Sequence, residues 1–392
     1  MIVGGAVDPR DDDLDDEALL RDAVPEEPPR DVVAALLALA DPGALHEAGL
    51  LGRMSHVAPS ELDAWHTAWV ELADEQRRTV VRAMIEGAEA DVHLDFGSVF
   101  RLLLEDDDAE VRAVAVDGLW ESTDPRLARR FTALLREDGH AEVRARAAEA
   151  LGVFVELGEL DRIDAELRDD ALEALLDAAR DPAESPEVRR RATASAGYAE
   201  DEAVRAVLSA GLESDELLLR LGAMRGIGNS ADEAWEAAVL AGLADTNAEM
   251  RFEAVRAAGE LELESAVIVL ARLIVGDEAE IRHEAIWALG EIGSPTAQAV
   301  LEKVLRRPRS DEEREAIEDA LSVGALHRLE ILPVPRSMLG GAQPDEDEDA
   351  WMLDDDDEEL VDDDAEGDAL DDLDAQGDWR GAIEDAIDDD AR

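Results

Sequence analysis

Few residues in this sequence are spaced for chemistry. Seven histidines occur (His46, His56, His66, His93, His140, His283 and His327), no two at metal-ligand spacing and none in a His-Glu-x-x-His motif. Cysteine is absent, which excludes disulfides, thiolate metal sites and thiol nucleophiles. No serine lies in a Gly-x-Ser-x-Gly elbow. Gly226-x-Gly228-x-x-Ala231 touches a dinucleotide fingerprint, but the run follows helical rather than strand-like sequence, so cofactor binding is not expected. Asp362, Asp364, Glu366, Gly367 and Asp368 match the opening half of an EF-hand loop. The twelfth position, where a bidentate glutamate belongs, is Leu373. Asp372, Asp374 and Gly377 fail in the same way at Ile383. No catalytic residue, cofactor or metal site is therefore expected, and the chain is expected not to be an enzyme.

What does recur is arginine. Arg112, Arg144, Arg189, Arg220, Arg251 and Arg282 each follow an aliphatic residue, and each is followed three residues later by alanine. Eight residues after them stand Trp120, Gly152, Gly197, Gly228, Gly259 and Gly290. The intervals between the arginines are 32, 45, 31, 31 and 31 residues, and Arg314 opens a degenerate final copy. A fixed period of this length marks a repeat architecture. The long interval reads as one unit enlarged by about 14 residues within 152–167. The six arginines are expected to form a structural ladder, each pairing with an acid before a neighbouring repeat's helix.

At about 100° per residue, positions −1, +3, +4, +6 and +7 from each arginine share one helix face. They are aliphatic or small, as burial requires. The glycine at +8 is expected to end the helix in a left-handed cap. A second apolar-periodic segment follows each copy, at 125–135, 170–179, 201–212, 232–243, 262–274 and 295–305. Each unit is thus a helical hairpin. Positions +1, +2 and +5 project away from the buried face. Early copies carry Ala113 and Asp117, then Ala145 and Glu149. Later ones carry Leu221 and Arg225, Phe252 and Arg256, and His283 and Trp287. Exposed aromatics beside arginines are typical interface anchors, so these six later residues form the candidate protein-binding surface.

Residues 107–120, 138–152 and 277–290 resemble HEAT-like repeats of the phycobilisome-lyase type, in the form acid…Glu-Val-Arg-x-x-Ala-x-x-Ala-Leu-Gly. The resemblance covers about 105–325, with Trp120 and Ser322 departing at the glycine position. It implies an all-α solenoid, a right-handed stack of antiparallel helix pairs with the Val-Arg helices on the concave side. It also implies an alternative function, a tetrapyrrole (bilin) lyase or assembly factor.

The sequence divides into an acidic segment at 1–30, a helical capping region at 31–104, the repeats at 105–332 and an acidic tail at 333–392. Both ends are expected to be disordered, being poor in large apolar residues. The capping helices are expected at 31–39, 44–55, 61–72, 75–87 and 96–105. Net charge is −62. Residues 341–392 contribute −23 and residues 1–30 contribute −7, which leaves −32 for the rest. Such a surface repels phosphate backbones and anionic membranes. The most apolar run, 266–275, is ten residues broken by Arg272, too short for a membrane span. No signal peptide is apparent, and a cytoplasmic location is expected. Lys303 is the only lysine beside 36 arginines, which fits either a GC-rich coding sequence or adaptation to high salt. In the tail, Trp379, Ile383 and Ile387 form an apolar stripe at helical spacing, and Trp351 sits in a second apolar cluster. One of these is expected to fold on a basic partner or back onto the Arg225/Arg256 strip. Taken together, these features indicate a non-enzymatic scaffold for a protein or peptide, with no nucleic-acid or membrane partner.

Overall fold

The computed structural model describes residues 31–41 and 49–331, with side chains described through residue 324. All regular structure among these residues is helical, and none of the helices is long and apolar enough to cross a membrane. The chain divides into two compact units, one ending at Leu119 and the other beginning at Trp120.

The first unit holds α1 (Val32–Leu39), α2 (Leu50–Met54), α3 (Pro59–Trp69), α4 (Asp74–Ala90), α5 (Gly97–Leu103) and α6 (Ala109–Asp117). Of the expected capping helix 44–55, residues 44–48 lie outside the described residues, and helix is found only over α2. The core is aromatic. Trp65 and Trp69 are fully buried and stack with ring centroids 5.0 Å apart. Asp106 anchors this core to α4, accepting from Trp69 Nε1 at 2.6 Å and from Arg77 at 3.0 Å. Asp108 caps α6, its Oδ1 accepting from the Glu110 amide at 2.9 Å, while its Oδ2 accepts from Arg78 at 2.6 Å. Burial raises the Asp108 pKa, but Arg78 and the cap amides outweigh it and hold the carboxyl below its ordinary range.

The second unit contains α7 (Pro125–Glu137), α8 (Ala141–Glu159), α9 (Ala165–Arg180), α10 (Pro186–Ala196), α11 (Glu202–Leu212) and α12 (Leu217–Asn229). It continues through α13 (Glu236–Leu243), α14 (Ala248–Glu260), α15 (Val267–Gly276), α16 (Ala279–Ile292), α17 (Pro295–Leu305) and α18 (Asp311–Ile331). The even-numbered helices, which carry the arginine motif, pack against one another in sequence order, and the odd-numbered helices form a second layer against them. Local signals set the helix starts. Ser185 and Ser294 cap α10 and α17 through bonds from Val188 N (3.2 Å) and Ala297 N (3.1 Å), each with proline at the first helical position. The extra residues of the long unit are mostly helical, for α8 runs 19 residues, to Glu159.

The cap expectation is corrected. Gly152, Gly228, Gly259 and Gly290 lie inside helices, and Gly197 follows α10 with φ −55°. The left-handed residue comes at +11 instead, at Ala231 (φ 48°), Glu262 (φ 49°) and Gly293 (φ 59°). The +8 glycines serve packing. A Cβ added at Gly197 would stand 2.2 Å from Gly226 O, and one at Gly228 would stand 3.1 Å from Ala257 Cα. At Gly259 and Gly290 it would stand 2.9 Å from Ala288 Cα and Ala320 Cα. The partner is always the small residue at +6 of the next repeat, so glycine and alanine together let adjacent helix backbones touch. Trp120, in the glycine position of the first copy, lies beyond the end of α6 and is 70% exposed.

Candidate protein-interaction face

The ladder arginines close the turns between layers. Arg144 donates to both carboxylate oxygens of Glu184 (2.8 and 2.7 Å) and to the carbonyl of Asp138 (2.7 Å). Arg251 repeats this with Asp277 (2.6 and 2.7 Å) and the Asp245 carbonyl (3.0 Å). Arg189 reaches the Ala179 carbonyl at 3.3 Å and Glu216 at 3.7 Å. Arg282 reaches the Asp277 carbonyl at 3.1 Å and Glu313 at 3.9 Å. Arg220 donates to the Ser214 carbonyl at 2.8 Å, and in the first unit Arg112 donates to the Asp106 carbonyl at 2.6 Å. Each guanidinium thus covers carbonyls at or just after the end of the preceding helix, where negative partial charge collects. Where it also meets a carboxylate in ideal geometry, that group is acidified. Hydrogen bonds from Arg144 and Arg251 hold Glu184 and Asp277 below the usual carboxylate range against the opposing effect of burial.

The candidate surface is narrower than helical projection suggests. Leu221 is buried at 6% exposure, as are Ala113 and Ala145 at the same +1 position of the early copies. A helix within a stacked layer has a neighbour on each flank as well as one beneath it, so small and aliphatic side chains at +1 are covered by neighbours, and only long or aromatic ones there reach solvent in part. At Gly222 the approach is so close that a Cβ would meet Arg190 O at 2.5 Å. Phe252, His283, Arg225, Arg256 and Trp287 are half-buried. His283 Nδ1 lies 2.8 Å from the Ala279 carbonyl of its own helix, a local contact.

Arg225, Arg256 and Trp287 belong to one cluster across α12, α14 and α16. Arg225 Nε lies 2.8 Å from Glu253, and Arg256 lies 3.5 Å from Glu260 and 3.7 Å from Glu284. The Arg256 guanidinium also stands over the Trp287 ring, 5.7 Å from its centroid. Burial raises the Glu284 pKa, with Glu253 and Glu260 adding to the rise and the two arginines opposing it. Burial likewise raises that of Tyr198, the only tyrosine, beside Glu156 and Glu260. Arg225 and Arg256, the expected docking point of the acidic tail, therefore already face three glutamates. The tail residues Trp351, Trp379, Ile383 and Ile387 lie outside the described residues.

Phe252 belongs to a different feature, a groove of about 550 Å³ along the first turns of α10, α12, α14 and α16. Its apolar lining includes Leu218, Leu221, Phe252 and Ile281, and its glutamates are Glu187, Glu249, Glu253, Glu278 and Glu280. The sequence carried a signal for it. Position −2 from the ladder arginine is Glu110, Glu142, Glu187, Glu249 and Glu280 in the other copies, but Leu218 before Arg220. Leu218 is 38% exposed. Gly226 and Gly228 of the fingerprint-like run sit inside α12 as packing glycines, with no strand before them.

A family model for HEAT repeats matches residues 98–184 and 236–322. No curated protein sequence matches the chain. Among solved structures, the CpcE–CpcF complex of phycocyanin lyase from Nostoc sp. aligns at 16% identity over 58% of this chain and 93% of that chain, with a TM-score of 0.41. Importin beta aligns at 14% identity over 74% of this chain and 44% of that one, TM-score 0.40. Human deoxyhypusine hydroxylase aligns at 22% identity over 75% and 96%, TM-score 0.31.

Proposed function

The chain is a HEAT-like repeat protein, and from that premise we propose that its second unit is a non-enzymatic scaffold holding a protein or peptide on the face of α12, α14 and α16. One observation carries this reading. On three successive helices the accessible positions change from the small and charged residues of the earlier copies to Arg225, Phe252, Arg256 and Trp287, all half-exposed. Arginine and aromatic side chains dominate binding energy at interfaces because they bring large contact area together with directed polar groups. Arg256 over Trp287 is held ready by its two glutamates, so a partner finds the pair already ordered and loses less side-chain entropy on binding. The net charge of −62 favours partners that are not themselves polyanions.

The test is affinity capture from native lysate with the full chain and with a Phe252→Ala, Trp287→Ala double variant, both checked for helicity by circular dichroism. The expected outcome is a protein retained by the unaltered chain and lost with the helical variant. Equal capture by both chains would overturn the assignment of this face.

A further inference from the structure

We propose that the groove along the first turns of α10 to α16 binds an extended basic peptide, with one apolar side chain seated against Leu218 and Phe252 and cationic side chains directed at Glu249 and Glu280. This deepens the scaffold reading and rests on it. Three features lead to it.

The first is the apolar floor. Leu218 projects from the position that bears glutamate in five other copies, and it keeps 38% of its surface exposed beside half-buried Phe252. An isolated leucine on a surface is ordinary, but one that interrupts a row of glutamates and opens into a groove is a seat for an apolar group.

The second is charge. Glu187 is taken up by Arg190 and Arg191 at 2.8 and 2.7 Å, and Glu253 by Arg225 at 2.8 Å. Glu249, Glu278 and Glu280 are exposed and form no ion pair among the described residues. The helix amides beneath them stabilise such carboxylates without neutralising them. The groove therefore offers unpaired negative charge on one side of an apolar seat.

The third is spacing. Leu218, Glu249 and Glu280 occupy the same position on three successive packed helices. Packed helices stand about 8–10 Å apart, and an extended chain covers about 10 Å in three residues. A peptide running across the helices would thus place an apolar residue on Leu218 and arginines three and six residues away on Glu249 and Glu280. Arg225, Arg256 and Trp287 do not line the groove, which meets their cluster only at Glu253.

The probe is a fluorescent Ser/Gly-based peptide carrying one leucine with arginines three and six residues beyond it, read by anisotropy against the full chain. Its controls are an isomer with the arginines moved next to the leucine and a version with glutamates in place of the arginines. The decisive variant is Leu218→Glu, which removes the apolar seat while adding negative charge. It should weaken the spaced peptide by about tenfold, whereas simple charge attraction would strengthen it. Glu249→Lys with Glu280→Lys should weaken binding by a similar factor. Glu166→Lys with Glu213→Lys, an equal charge change elsewhere on the second unit, should change it by less than about twofold. Tighter or unchanged binding to Leu218→Glu, equal losses for the two lysine pairs, or equal affinity for the isomer would each overturn the proposal. The outcomes also separate it from the broader reading. A captured partner that is lost with Trp287→Ala but kept with Leu218→Glu overturns the groove alone. Capture of nothing by the unaltered chain overturns the scaffold, while the peptide measurement still decides the groove.

Discussion

Alanine at the +8 glycines should destabilise the second unit in an order set by the distance to the next helix. In a helix interior, Gly→Ala on its own gains about 1 kcal/mol because alanine loses less backbone entropy. Overpacking costs about 1–3 kcal/mol when neighbours must shift. At Gly228 the new Cβ stands 3.1 Å from Ala257 Cα, so a shift of a few tenths of an ångström suffices and the two effects nearly cancel. At Gly259 the distance is 2.9 Å both to Ala288 Cα and to the Trp287 ring, and at Gly290 it is 2.9 Å to Ala320 Cα and Cβ; the two alanines cannot swing aside. A net loss of about 1–2 kcal/mol is expected there. At Gly197 the Cβ would lie 2.2, 2.6 and 2.7 Å from Gly226 O, Cα and C. All three are backbone atoms, and Gly197 caps α10 rather than lying inside it, so the propensity gain is small. The expected loss is about 3 kcal/mol or more. Gly276→Ala is the control, since nothing lies within 4 Å, and it should stabilise the chain by about 0.5–1 kcal/mol. Urea denaturation followed by helical ellipticity gives the series, provided that different probes show coincident transitions, because repeat arrays can unfold in parts. If Gly197→Ala proved as stable as Gly276→Ala, the helices would not touch through these glycines and the packing account would be wrong.

Two further outcomes follow from backbone conformation and titration. Ala231→Gly and Glu262→Gly should each stabilise the fold by about 1 kcal/mol, since both residues hold a left-handed φ (48° and 49°) that glycine adopts without strain; a loss in the same urea assay would contradict this. Hydrogen bonds from Arg190 first, with burial opposing and Arg191 adding, lower the Glu187 pKa from its ordinary 4.5 to about 2. A depressed carboxyl stabilises the fold fully above about pH 4.5 and loses that contribution as pH falls towards 2. Glu187→Gln should therefore be less stable than the unaltered chain at pH 7, by about 1 kcal/mol after solvent screening. That gap should close on acidification, and a gap independent of pH would refute the pairing.

Much of the architecture was legible because its causes are local. The 31-residue recurrence of an aliphatic-Arg pair, the Ser-Pro and Asp starts and the small residues at +3 and +6 act within one or two helical turns, so they can be read without knowing what packs where. The ladder arginines were legible as a register, but their double duty was not. Whether Arg144 meets a turn carbonyl as well as a carboxylate depends on how the chain turns between layers. The groove was half legible. Leu218 breaks a row of glutamates, a signal present in the sequence that helical projection passes over, and nothing in the sequence says that Phe252 and Ile281 of later repeats come beside it.

The amino-acid sequence by itself determined that this chain forms paired helices, which face of each helix is apolar, and that the surface is strongly anionic. Tertiary structure alone decided how much of the opposite face stays open. Helical projection treats a helix as if it had one neighbour, and it therefore placed Leu221 in solvent. In the stack each helix is flanked on both sides at a distance set by the glycines and alanines of the next repeat. That separation buries Leu221, ties up Arg225 and Arg256 with glutamates from their own and neighbouring helices, and leaves Leu218 and Phe252 at the edge of a groove. The glycines themselves make the same point. Their identity is visible in the sequence, but whether glycine is needed for a left-handed turn or for contact between backbones depends on a second helix, which the sequence does not show.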